Sequence, residues 1–266
     1  TLMNRIQNTF VKLKEQDQKA LITYLVVGDP DVTTTLELMN TMVDEGADIL
    51  ELGISFSDPM AEGPSIQKAH ERALEENTTL NDALDVAKEF RKTNNTTPIV
   101  FMGYMNPFEA MGAREFCKKA KECGVDGILL VDMPPEESGE FSEYSKVHGI
   151  DIIRLIAPTT DNERVEKICL NASGYIYYIS VKGITGSGSL DFLDIEKKVH
   201  NLKLKTDIPV VIGFGIKDSA TVDLVKNLSD GIVVGSVLVD LIAEGKDGVT
   251  DKIAIKMKEL TRALLN

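Results

Sequence analysis

The chain has 266 residues and a formal net charge of −13 at pH 7, from 42 acidic and 29 basic side chains. That balance excludes a nucleic-acid binder, which must meet phosphates with clustered Lys and Arg, and no apolar run approaches the length of a membrane span. With no Pro/Ser/Gly-rich linker, charge block or low-complexity tract, residues 1–266 are expected to form one domain. The polar, amphipathic start is not a basic-then-apolar leader, so a cytoplasmic protein is expected. Cys117, Cys123 and Cys169 show neither CxxC nor metal-ligand spacing and are expected to be free buried thiols.

Residues 2–15 carry Leu2, Ile6, Phe10 and Leu13 on one side of a helix. A continuous apolar run, 20–27, ends at Gly28-Asp29-Pro30 as a strand meeting a turn. Residues 33–45 repeat at helical spacing and stop at Gly46. The second strand, from Ala47, is apolar on both faces, as a strand covered on both sides must be, yet carries Glu51 in line with Ala47 and Ile49. An ionised carboxylate there costs several kcal/mol unless paired, or its pKa rises. The chain leaves this strand at Gly53 into a loop holding Ser55, Ser57, Asp58, Pro59 and a second acid, Glu62, before Gly63-Pro64 starts a helix in two pieces, 66–74 and 79–92.

Strands then alternate with helices: strands at 97–104, 125–132, 150–157, 175–180, 208–213 and 231–234, and helices at 108–123, 135–148, 162–170, 193–204, 219–228 and from 236 onward, the last broken at Gly245 and Gly248. Eight strands in strict alternation with helical blocks imply a parallel sheet covered by helices, and over about 250 residues the count and size are those of a (β/α)8 TIM barrel with an extra N-terminal helix. A doubly wound open sheet is the runner-up, weakened because no GxGxxG opens a helix after the first strand.

In such a barrel the C-terminal strand ends carry the chemistry. Falling there are Asp29, Glu51, Tyr104, Asp132, Tyr177, Lys182 and three glycine-rich turns: Lys182 to Gly188, Gly213-Phe214-Gly215 and Gly235-Ser236. Free backbone N–H groups at such turns and at a helix start suit a phosphate. His70, His148 and His200 fall inside helices, where solvated side chains are expected, so neither a histidine base nor a metal centre is read from them. Lys182 is a rival Schiff-base nucleophile. Asp29 and Asp132 are a rival acid pair, each beside a proline turn it could simply cap. A non-catalytic phosphosugar-binding subunit also stays open.

The residues resemble the tryptophan synthase α-subunit family essentially end to end. The resemblance is carried by GDP at Gly28–Pro30, ELGISFSDPMAEGPSIQKA from Glu51, VDGILLVDMPPEES from Val125, GITG at Gly183–Gly186, GFGI at Gly213–Ile216 and VVGSV at Val233–Val237. It implies cofactor-independent retro-aldol cleavage of indole-3-glycerol phosphate, and assembly with a β subunit into an αββα heterotetramer. It also implies catalytic roles for Glu51, Glu62 and Tyr177, with Thr185 in the sixth loop near substrate. Phosphate contacts would fall on Gly186, Phe214, Gly215, Gly235 and Ser236, and indole contacts on Tyr24, Met102, Tyr104, Leu129 and Leu155. Asp58 and Pro59 would lie in the loop that meets the partner. Two departures stand out: Glu62 replaces the family's usual Asp, and Lys182 precedes Gly183 where some members carry arginine. The chemistry agrees with the implied roles, because delivering a proton to indole C3 makes the ring nitrogen positive. That asks for a carboxylic acid above C3 and a carboxylate near N1.

Overall fold

The computed structural model describes residues 3–179, 189–213 and 215–266. All strands lie in one parallel sheet: β1 (Ala20–Val26), β2 (Ile49–Gly53), β3 (Ile99–Gly103), β4 (Gly127–Leu130), β5 (Asp151–Ile152), β6 (Arg154–Ile156), β7 (Ile176–Ile179), β8 (Val210–Gly213) and β9 (Gly231–Val234). Their order is β5-β4-β3-β2-β1-β9-β8-β7-β6. Only Ile153 separates β5 from β6, and its N–H donates to the Ile128 carbonyl at 2.8 Å. The two ends of the sheet are thus successive pieces of one strand, which closes the eightfold (β/α) barrel read from the sequence.

Side-chain alternation splits the apolar residues into two layers. Ile22, Tyr24, Val26, Ile49, Val100, Met102, Leu129, Ile153, Tyr175, Tyr177, Val211 and Val233 fill the barrel interior. Leu21, Leu25, Leu50, Leu52, Phe101, Ile128 and Ile212 face outward, against the surrounding helices. Helix α1 (Arg5–Glu15) closes the N-terminal end: Ile6, Phe10 and Leu13 pack into the interior layer, and the Phe10 ring lies 5.9 Å from that of Tyr175. Asn4 caps this helix through a reciprocal pair with Gln7, and Asn4 and Arg5 reach Asp151 and Asp126 at 2.8 and 2.9 Å.

The helices follow the sequence reading with local differences. Helix α2 (Val32–Asp44) starts at the side-chain cap of Asp31; α3 (Pro64–Glu75) and α4 (Leu80–Phe90) are the two predicted pieces. The helix expected over 108–123 is two: α5 (Met105–Met111) and α6 (Ala113–Cys123), parted by Gly112 at φ +90°, a value that leaves the helical region. The one expected from Pro135 begins as a 3₁₀ turn (Pro135–Glu137) and becomes α7 (Gly139–His148). Helices α8 (Asn162–Asn171), α9 (Ser189–Lys205), α10 (Ser219–Val225), α11 (Ser236–Ala243) and α12 (Val249–Leu265) complete the ring. Cys117 is buried, Cys123 and Cys169 only half-buried, and all three are free. No helix of the described residues is long and apolar enough to cross a membrane.

Candidate active site

Glu51 sits in β2, in register with Tyr24 of β1 and Val100 of β3, and its side chain is 1 % exposed inside the barrel. Among the described residues it makes no ion pair with a buried Lys or Arg. Its Oε1 accepts from the Tyr175 hydroxyl at 2.7 Å, and Oε2 has no partner among the described residues. Burial pushes the carboxyl up to about 7; the Tyr175 hydrogen bond opposes the shift and the nearby Glu62 charge adds to it. The sequence reading missed Tyr175, although it has the same parity as Tyr177, two residues on, and so had to face inward.

Around Glu51 lie the inward positions of the neighbouring strands. Met102 pairs in register with Leu129, and Leu155 with Tyr177. Tyr24, Met102, Leu129 and Tyr177 are buried and Leu155 half-buried in the interior layer, and buried Tyr104 lies close enough for its charge to act on Tyr24. Two glycines make room for the tyrosines. A Cβ on Gly53 would lie 2.8 Å from Tyr24 Cζ, and one on Gly213 would lie 2.6 Å from Tyr177 Cζ, both closer than real contacts allow. Gly213, read from the sequence as part of an anion-binding turn, is thus a packing position.

Glu62, the second acid, lies on the loop after β2. It is half-buried, and desolvation pushes its carboxyl up to about 7. Its charge acts on Glu51, Tyr24, Tyr104 and Tyr177, whose pKa values are all raised, chiefly by burial. Two carboxyls near 7 therefore share one low-dielectric space, where ionising one disfavours ionising the other. Its loop is tied down at several points. Ile54 N–H donates to the Met102 carbonyl at 2.9 Å, and Ser55 Oγ donates to the Thr78 carbonyl at 3.0 Å. Ala61 N–H donates to the Tyr104 hydroxyl at 3.1 Å, and Gln67 Nε2 donates to the Glu62 carbonyl at 2.7 Å. At the tip, Asp58 and Met60 are exposed and Pro59 is half-buried.

His70 corrects an expectation. It lies on α3 as predicted but is 1 % exposed, and its Nδ1 accepts the Phe56 N–H at 3.0 Å. Burial lowers its pKa to about 4, so the ring is neutral. Its burial was legible in part, because it shares a helix face with the small residues Ala69 and Ala73, both of which are buried. His148 is half-buried and His200 exposed. The rival acids are otherwise engaged. Asp29, buried, takes a bidentate pair from Arg72 of α3 at 2.7 and 2.9 Å. Asp132 is exposed and accepts the Met105 N–H at 2.7 Å, capping α5. Among the described residues no His/Cys/Asp/Glu group is clustered to hold a metal.

Of the expected phosphate contacts, Gly235 and Ser236 open α11, with Gly235 as its N-cap at the mouth beside Tyr24, and Gly215 takes φ +47° in open space. Lys182, Thr185, Gly186 and Phe214 lie outside the described residues. A separate cavity of about 810 Å³, lined by Phe10, Leu13, Ile208 and Pro209 and not by Glu51, sits at the opposite, α1-closed end.

The family model for the tryptophan synthase alpha chain matches residues 10–264. The tryptophan synthase alpha chain of Marinobacter nauticus is 50 % identical over 241 residues, covering 91 % of this chain and 89 % of that one. That of Burkholderia ambifaria is 47 % identical over 263 residues, 98 % and 97 %. The crystal structure of tryptophan synthase subunit alpha from Legionella pneumophila superposes with a TM-score of 0.92 at 39 % identity over 100 % of both chains. A chain of the tryptophan synthase complex from Pyrococcus furiosus superposes with a TM-score of 0.83 at 38 % identity, covering 91 % of this chain and 98 % of that one. With a matching family model over nearly its whole length and relatives at about half identity, the chain belongs to the tryptophan synthase alpha chain family.

Proposed function

We propose that the chain, working as a single barrel domain in the cytoplasm, is a carbon–carbon lyase that cleaves indole-3-glycerol phosphate to indole and glyceraldehyde 3-phosphate in tryptophan biosynthesis. The observation that carries this reading is Glu51: a buried carboxyl near pKa 7, its Oε2 without a partner among the described residues, in an apolar mouth that it shares with Glu62. A carboxyl poised near neutrality can give and take a proton in one cycle. Glu51, protonated, delivers its proton to indole C3, and the ring nitrogen becomes positive. The Glu62 carboxylate beside N1–H offsets that charge in a water-poor site. The glycerol carbon bonded to C3 carries a hydroxyl; Glu51, now ionised, takes that proton as the C–C bond breaks. The bonding pair returns to the ring, aromatic indole forms with its N–H intact, the carbinol becomes an aldehyde, and Glu51 is protonated again.

Tyr24, Met102, Tyr104, Leu129 and Leu155 enclose the indole, and Tyr177 flanks the reacting carbon. The phosphate is held by backbone donors at Gly215, Gly235 and Ser236, joined by Thr185, Gly186 and Phe214, without a net cationic field in a chain of charge −13. The loop tip at Asp58 and Pro59, with Met60 79 % exposed beside them, meets a β subunit that consumes the indole in an αββα assembly.

The test is to supply indole-3-glycerol phosphate and measure indole and glyceraldehyde 3-phosphate in equal amounts, with and without β subunit. A dephosphorylated analogue should bind far more weakly. No indole in either condition, or equal binding of both analogues, would refute the reading or its phosphate site.

A further inference from the structure

We propose that His70 is a positioning residue for Glu62: its neutral imidazole, acting as an acceptor, fixes the loop that aims the Glu62 carboxylate into the barrel mouth. The inference rests on the reading of Glu62 as the N1 carboxylate.

The contacts form a truss with two ends on one helix. At the near end, His70 Nδ1 accepts the Phe56 N–H at 3.0 Å. The Phe56 ring stacks on Tyr104, with centroids 5.3 Å apart and planes at 24°. The Tyr104 hydroxyl in turn accepts the N–H of Ala61, the residue before Glu62, at 3.1 Å. At the far end, Gln67, one helical turn before His70, donates to the Glu62 carbonyl at 2.7 Å. Helix α3 therefore holds the loop on both sides of its exposed tip. The helix itself is fixed: Ala69 and Ala73 are buried in the interior layer, and Arg72 grips buried Asp29 with two hydrogen bonds.

An accepting Nδ1 requires the proton on Nε2, the tautomer of a neutral imidazole; a protonated ring would turn a second N–H toward the Phe56 N–H. Burial at 1 % exposure disfavours that charged form. A side chain that only filled space would be apolar here. Instead the position carries an acceptor matched to one backbone donor, and it leaves its own Nε2 without a partner among the described residues. The Phe56 N–H is only part-buried, but stripped of its acceptor it must find another partner, and the loop has to shift to supply one. A carboxylate displaced by about 1 Å from its working position loses on the order of 10²-fold in rate.

The experiment compares steady-state cleavage by His70→Leu, His70→Asn and Tyr104→Phe in the full chain, with Glu62→Ala as the reference. Leu fills the site without an acceptor; Asn places Oδ1 where Nδ1 stands. His70→Leu should lower kcat roughly 10- to 100-fold with KM within about threefold. His70→Asn should recover kcat to within about fivefold of the parent, which a loss of packing alone would not allow. In the Glu62→Ala background, His70→Leu should produce no further loss. Parent-level kcat in His70→Leu, or Asn falling as far as Leu, overturns the inference. If His70→Leu does not fold, Tyr104→Phe decides, since it removes the Ala61 acceptor and keeps the stacked ring: a loss of about tenfold in kcat that vanishes in the Glu62→Ala background supports the truss, while parent turnover, or a loss that persists in that background, overturns it. Parent-level cleavage by Glu62→Ala would instead overturn the Glu62 role, and this inference with it.

Discussion

Replacing Glu51 by Gln keeps the shape of the side chain and the acceptor for the Tyr175 hydroxyl while removing the titrating proton. Its consequence for stability has a definite sign. Burial raises the folded-state pKa from 4.5 to about 7. Below about pH 4.5 the carboxyl is neutral whether the chain is folded or not, and burial costs little. Between 4.5 and about 7 the folded state keeps a proton that the unfolded state releases, so stability falls as pH rises through that window and levels off above it. That rise in pKa costs about 3 kcal/mol at pH 8 and less than about 1 kcal/mol at pH 5. Gln has no such dependence. Urea unfolding of both proteins at pH 5 and pH 8 should therefore show Glu51→Gln gaining about 2–3 kcal/mol relative to the parent between the two pH values. A difference that stays constant across pH would mean that Glu51 is not held near neutrality by burial, and the case for its proton shuttle would fail with it.

Glu62→Ala should remove most cleavage, while Glu62→Asp should retain a substantial part: a shorter side chain loses about 1.5 Å of reach, which a loop can partly recover by moving inward. Turnover of both variants with β subunit present checks this. Gly213→Ala should cut turnover by at least tenfold, because the new methyl group meets the Tyr177 ring and must displace it; unchanged kcat and KM would show that the ring does not matter to substrate. Arg72→Ala leaves Asp29 buried without its bidentate partner and should lower stability by about 3–5 kcal/mol at pH 7. That loss should shrink as the pH is lowered and Asp29 protonates; denaturant midpoints at pH 7 and pH 4 would show it.

The barrel was legible because its signals are local. Each strand is a short apolar run bounded by turn residues, and parity alone places Glu51, Tyr24, Met102, Leu129, Leu155 and Tyr177 on the inward face. Glu51 stood out because a carboxylate among Ala47 and Ile49 has no structural reason to be there. What escaped the reading depends on contacts across the barrel. Gly53 and Gly213 looked like turn and anion-site glycines, but each is shaped by a tyrosine ring from an adjacent strand. His70 looked solvated because helical spacing does not reveal which loop folds back over the helix; its partner, Phe56, reaches it only once the loop has closed. The desolvation of Glu62 was equally illegible, since nothing in the loop sequence around it announces burial. The helix expected over 108–123 split because Gly112 takes a positive φ that residue type permits but does not announce.

The central claim is that the buried carboxyl of Glu51 moves the proton that breaks the carbon–carbon bond. The most direct measurement is kcat for indole formation from saturating indole-3-glycerol phosphate by parent and Glu51→Gln, with β subunit present and folding of the variant verified. Loss of a single general acid–base group predicts a fall of about 10²–10⁴-fold with KM little changed. A folded Glu51→Gln protein that releases indole at the parent rate would contradict the account.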